Sequence, residues 1–225
     1  MKIRNALCAA ALILAGCAAP QKAETKETSF KTEYEALNGK TNKEGREHRT
    51  IEIPDDNPFV ITTGEDIVKK VDDKETFYVY FGDPMCPWCR SVIEELCKVA
   101  KKEDIQTIYA VDIWDEEGNE IFRNKYELKD GELKETVKGT DAYYTLVKDF
   151  DNVLKDYSVK DKNGTSYAVG QKRIFAPDLV AVKDGRAAAM AQGISEKQED
   201  SRQELTDEIR QDEDNLFKEF FEETK

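Results

Sequence analysis

Two cysteines, Cys86 and Cys89, sit at the join between two kinds of hydrophobic pattern. Before them, residues 75–82 (ETFYVYFG) form a short β-branched and aromatic run, the composition of a buried strand. After them, Ile93, Leu96, Cys97 and Ala100 recur at i, i+3, i+4 and i+7, which lines one face of a helix over residues 86–101. Pro87 falls at the first helical position, where a missing N–H costs nothing. The chain must therefore fold so that a strand feeds a helix with both sulfurs at the helix N-terminus. There the unpaired N–H groups and the positive helix end favour thiolate over thiol. The spacing also brings the sulfurs within reach of a disulfide with little backbone movement. A thiolate is the species that attacks a disulfide. Cys86 is accordingly the expected nucleophile. Cys89, more buried, is the thiol expected to attack the mixed disulfide and release the partner.

The rest of the chain supplies an α/β plan with a central sheet flanked by helices. Residues 50–53 read as a short strand stopped by Pro54, and Thr63 as an N-cap before Ile67, Val68 and Val71. Residues 104–114 (DIQTIYAVDIW) read as a second buried strand. A helix is expected over 141–157, with Tyr143, Leu146, Phe150 and Leu154 on its apolar side. Strands at 179–182 and 187–191 flank Asp184-Gly185, a hairpin signal, and residues 201–223 form a last amphipathic helix. The less regular stretch 115–170 reads as an insertion that either shapes partner specificity or covers a sheet edge.

Lys2 and Arg4 precede an apolar run over residues 6–15, too short to span a bilayer, which needs roughly 20 residues. The following Leu14-Ala15-Gly16-Cys17 resembles the lipobox of bacterial lipoproteins. That resemblance implies removal of residues 1–16 and a lipid anchor on Cys17, with more than one acyl chain for stable attachment. The alternative is an ordinary secreted protein cut near Ala18-Ala19. Loss of residues 1–16 takes away Lys2, Arg4 and no acid, which moves the formal charge from −13 to −15. Such a charge argues against nucleic-acid binding and against general adhesion to anionic lipid. Residues 17–46 are polar and poor in large aliphatics and read as a flexible tether, with one short helix permitted by Phe30, Tyr34 and Leu37. The folded domain is then 47–225.

Other chemistry fits the sequence less well. Zinc needs ligands beyond one cysteine pair. Cys97 lies about 16 Å along the helix from Cys86 and reads as a core thiol. The single histidine, His48, reads as exposed at the tether boundary, too far from the pair for Cys–His hydrolysis. Asp55-Asp56 and Asp115-Glu116-Glu117 read as solvated charge, and no phosphate-binding glycine motif is present.

The Cys86-Pro87-Trp88-Cys89 motif resembles the active site of the thioredoxin superfamily. The likeness extends to the last helix and to Ala176-Pro177-Asp178-Leu179-Val180 with its following hairpin, which is similar to the family's cis-proline strand. It covers residues 48–114 and 174–225. The stretch YVYFGDPMCPWCRSVIEELCKVAKKE is also similar to thioredoxin-like lipoproteins of Gram-positive bacteria, including bacteriocin-transport accessory proteins. The resemblance implies a thioredoxin-like fold with Pro177 cis beside the cysteines. Ala176 would then offer backbone groups to an extended substrate, and Pro87 and Trp88 would lie against it. Trp88 has a second reading, packed on the adjoining surface. Two departures stand out. Tyr80 occupies the place of the buried acid that usually handles the resolving thiol's proton, leaving Asp112 and Asp83 as substitutes, and Met85 replaces a common tryptophan.

The implied protein is a thiol–disulfide oxidoreductase held on the outer face of a bacterial cytoplasmic membrane. It exchanges disulfides with partner proteins and needs no cofactor, because the cysteine pair itself cycles; a second redox protein supplies or accepts its electrons. The alternative is an accessory binding module that uses the same scaffold to hold an exported peptide without essential redox chemistry.

Overall fold

The computed structural model describes residues 29–225. The expected signal segment, Cys8 and Cys17, the expected site of lipid attachment, lie outside the described residues. A five-stranded mixed sheet forms the centre, in the order β1 (Phe59–Ile61), β3 (Ile108–Asp112), β2 (Phe77–Gly82), β8 (Asp178–Lys183) and β9 (Arg186–Ala191). The first three run parallel; β8 is antiparallel to β2 and β9 to β8.

Strand β2 is buried on both faces, so its alternation divides two cores rather than core from solvent. Tyr80, with Ala110 and Leu179 from its neighbours, packs under α3 (Pro87–Lys102) and α5 (Asp207–Thr224). Val79 and Phe81, with Val111, Val180 and Val182, pack under α2 (Gly64–Asp72) and α4 (Asp141–Asp149). Thr63, Thr140 and Thr206 cap α2, α4 and α5 with side-chain oxygens. The hairpin between β8 and β9 turns at Asp184-Gly185, both at positive φ. A Cβ on Gly185 would lie 2.3 Å from the Val71 carbonyl oxygen, so the turn can sit that close only as glycine.

Several expectations change. Residues 50–53 form no strand. Their backbone donors go to side chains instead: Ile51 N–H to Asn38 Oδ1, Glu52 N–H to Glu94 Oε1 and Ile53 N–H to Glu35 Oε1. The segment expected as a tether packs from Phe30 onward. Helix α1 (Phe30–Glu35) buries Phe30 and Tyr34 to 2% and 1% exposure in the core under α3. His48 is buried, not exposed, and burial followed by the charges of Arg90 and Arg202 lowers its pKa.

The expected insertion is also partly integral. Helix α4 ends at Asp149 rather than 157, and its Tyr143 and Leu146, with Phe150, fill the second core. The additions proper are two hairpins, β4–β5 (Lys125–Lys129 and Glu132–Val137) and β6–β7 (Lys155–Lys160 and Ser166–Arg173). Each is a separate two-stranded sheet, so neither covers a central edge strand by pairing with it. Among the described residues no helix is long and apolar enough to cross a membrane.

Candidate active site

Cys86 is the N-cap of α3, the position Ser, Thr or Asp usually holds, with Pro87 beginning the helix. Its Sγ accepts the Cys89 backbone N–H at 3.4 Å. On its other side the thiol donates to the Ala176 carbonyl at 3.6 Å. The Ala176–Pro177 bond is cis and Pro177 is buried. The two cysteines, Ala176 and Pro177 are therefore brought together, as expected. Pro87 and Trp88 lie between the cysteines half-buried, and Trp88 rests against the core under α3, which is the packed alternative in part.

The two sulfurs have opposite electrostatics. Hydrogen bonding from the Cys89 thiol lowers the Cys86 pKa against the opposing effect of burial. The N–H groups of Cys89 and Trp88 and the charge of Arg123 act in the same direction as that bond. Cys89 is fully buried, and burial, then its interactions with Cys86, push its thiol well above the ordinary range. The Tyr80 hydroxyl and the Asp83 N–H oppose that rise by bonding to Cys89 Sγ. The arrangement gives one sulfur suited to attack and one that stays a thiol until it is called on. Cys97 sits in the core under α3 with its thiol pushed up to about 12 by burial and the charge of Glu94.

Around the pair, α1 was not legible as part of the site. Tyr34 packs in the same core as Cys89, and its hydroxyl lies 3.5 Å from that of Tyr80. Arg90, one residue after Cys89 and fully buried, ties the two segments together. Its guanidinium donates to the carbonyls of Tyr34 (2.8 Å), Pro84 (3.1 Å) and Arg49 (2.8 and 2.6 Å) and to Asn38 Oδ1 (2.8 Å). The only signal for Arg90 was a charge on a helix face otherwise expected to pack.

Asp83 and Asp112, the candidate substitutes for the missing acid, line a cleft of about 530 Å³ with Met85, Trp114 and α1. Burial raises both to about 7. The Asp83 carboxylate accepts N–H groups from Met85 (2.7 Å) and Trp114 (3.3 Å), which fixes the loop before Cys86. Asp178 does the same beyond the cis bond, accepting the Phe175 N–H at 2.7 Å. Glu120 and Arg123 of the 115–170 stretch meet Arg173, at the end of β7, in a buried cluster in which the two arginines share Glu120 at 2.5 and 3.6 Å. Among the described residues no group of three or more His, Cys, Asp or Glu is placed to hold a metal. No protein-family model matches the chain.

Proposed function

We propose that this protein is a thiol–disulfide oxidoreductase of thioredoxin-like fold, working through Cys86 and Cys89 on partner proteins. One observation carries the reading: the lowered-pKa Cys86 sulfur caps a helix, within hydrogen-bond reach of Cys89 and of the carbonyl before a cis-proline. A structural disulfide needs no such asymmetry. The parallel β1–β3–β2 group continued by the antiparallel β8–β9 hairpin, with helices on both faces, supports the fold assignment.

In the reductive direction the Cys86 thiolate attacks a partner disulfide, forms a mixed disulfide and releases one partner thiolate. Cys89 then attacks Cys86 Sγ, and the second partner sulfur leaves. Two electrons pass to the partner and the pair ends as a disulfide; the reverse sequence oxidises a partner. The main-chain groups beside Pro177 are offered to an extended partner segment. The proposal includes a lipid anchor at Cys17, outside the described residues, placing the domain on the extracytoplasmic face of the membrane.

Cys89→Ser should trap mixed disulfides with partner proteins through Cys86, visible as reductant-sensitive adducts. Cys86→Ser should form none. Equal trapping by both variants, or by neither while partners still bind, would favour the scaffold as a binding module.

A further inference from the structure

We propose that Tyr80 is the catalytic group serving the resolving thiol, donating its phenolic O–H to Cys89 Sγ as the thiolate forms, with Tyr34 of α1 as the residue that positions it. The inference rests on the disulfide-exchange reading and adds to it the group that makes the buried second step feasible.

The placement is specific. Tyr80 and Gly82 lie on the same face of β2. A Cβ on Gly82 would fall 2.2 Å from Tyr80 Cε1 and 2.7 Å from Oη, so the ring can lie along the strand only because residue 82 has no side chain. That posture leaves the hydroxyl inside the core that also holds Cys89, where its hydrogen bonding opposes the rise of the Cys89 thiol. Tyr34 and Tyr80 are each 1% exposed. Two phenylalanines would fill the same space without burying hydroxyls, whose desolvation is unfavourable unless they are bonded.

A phenol has one proton to donate and an oxygen that accepts. Either hydroxyl can donate across the 3.5 Å between them; with Tyr34 as the donor, the Tyr80 proton is left for the sulfur. Tyr34 is held for this by the Arg90 bond to its carbonyl at 2.8 Å.

Tyr80 is not the base. Burial, then the charge of Cys89, holds its own proton far above the ordinary phenol range. It stabilises the thiolate together with the Asp83 N–H. In the step itself Cys89 loses its proton, the Cys89–Cys86 bond forms, and the bond from Cys86 to the partner sulfur breaks. The departing partner thiolate takes up a proton in place of the one Cys89 released. Over the two steps together the cysteine pair loses two electrons and the partner gains them. The other ionisable groups facing this centre are Cys86 of α3, the Asp83 carboxylate before it, and Arg90 beside Tyr34.

The test is single-turnover exchange with a small peptide disulfide, comparing wild type, Tyr80→Phe, Tyr34→Phe and the double variant. Attack by Cys86, read in Cys89→Ser backgrounds, should stay within about twofold of Cys89→Ser alone. Resolution by Cys89 should slow about tenfold or more in Tyr80→Phe, the loss of one bond to a charged sulfur. Its pH profile should move to higher pH. Tyr34→Phe should slow resolution alone by about two- to threefold, and this variant carries the test if Tyr80→Phe does not fold. The double variant should be no worse than Tyr80→Phe, since Tyr34 acts through it. Resolution at the wild-type rate with an unmoved profile, or equal slowing of both steps, would overturn the assignment while leaving disulfide exchange intact. Wild-type protein that cannot exchange at all would bring down the parent reading and this one with it.

Discussion

Cys86 and Cys97 are almost equally hidden, at 4% and 2% exposure, so accessibility does little to separate them. Ionisation does. Cys86 is lowered below the usual thiol range, first by its bond with the Cys89 thiol, whereas burial pushes Cys97 up to about 12. Because alkylation proceeds through the thiolate, its pH dependence reports these differences directly. In the reduced protein, iodoacetamide should label Cys86 first, with a half-maximal rate below the ordinary thiol pKa. Cys97 should stay unlabelled until the protein unfolds. Mass mapping of the labelled peptides across pH checks this, and Cys97 reacting alongside Cys86 in folded protein would contradict it. The placement of Cys86, Cys89 and Cys97 was readable because each depends on helix position, a local property. The partners of Arg90 were not, since its five hydrogen bonds run to acceptors at residues 34, 38, 49 and 84.

At the level of elements, strand β2, helix α3 and the β8–β9 hairpin lie close to where the hydrophobic periods and turn residues put them. The failures share one cause: long-range partners decided the outcome. Residues 50–53 have strand-like composition, but side chains of Asn38, Glu94 and Glu35 take their donors before a neighbouring strand can. Helix α1 lies in a stretch whose average polarity hides two aromatic anchors. Phe30 stacks on Phe59 with centroids 4.1 Å apart and a 9° interplanar angle, beside Tyr34 and Tyr80. A tether would tolerate loss of that ring. A core element would not: Phe30→Ala should cost about 3–5 kcal/mol of unfolding free energy, the usual range for a buried phenylalanine. Urea unfolding with an unchanged slope measures it. A change under about 0.5 kcal/mol would mean the helix is not part of the cooperative unit.

For the whole molecule, the site is assembled from four regions: the β2–α3 junction, α1, the 115–170 stretch and the turn before β8. Only the first and last hold residues that a motif singles out; the other two bring Tyr34 and the Glu120–Arg123 pair that meets Arg173. Tyr80 illustrates the limit of reading a site from sequence. It first appears as a missing acid, and only the glycine two residues on and a tyrosine 46 residues earlier make it a partner for the resolving sulfur. The central claim is that Cys86 and Cys89 form one reversible two-electron couple. It is tested most directly by redox equilibration of protein lacking residues 1–17 in defined thiol–disulfide buffers, followed by acid quench, alkylation and mass analysis. The account predicts a single two-electron transition in which both cysteines are protected together and Cys97 remains a thiol. Its midpoint would set the direction of exchange: near about −270 mV for a reductant, near about −120 mV for an oxidant. A pair that stays as two thiols across the whole range, or oxidises only with Cys97 or a second chain, would contradict it.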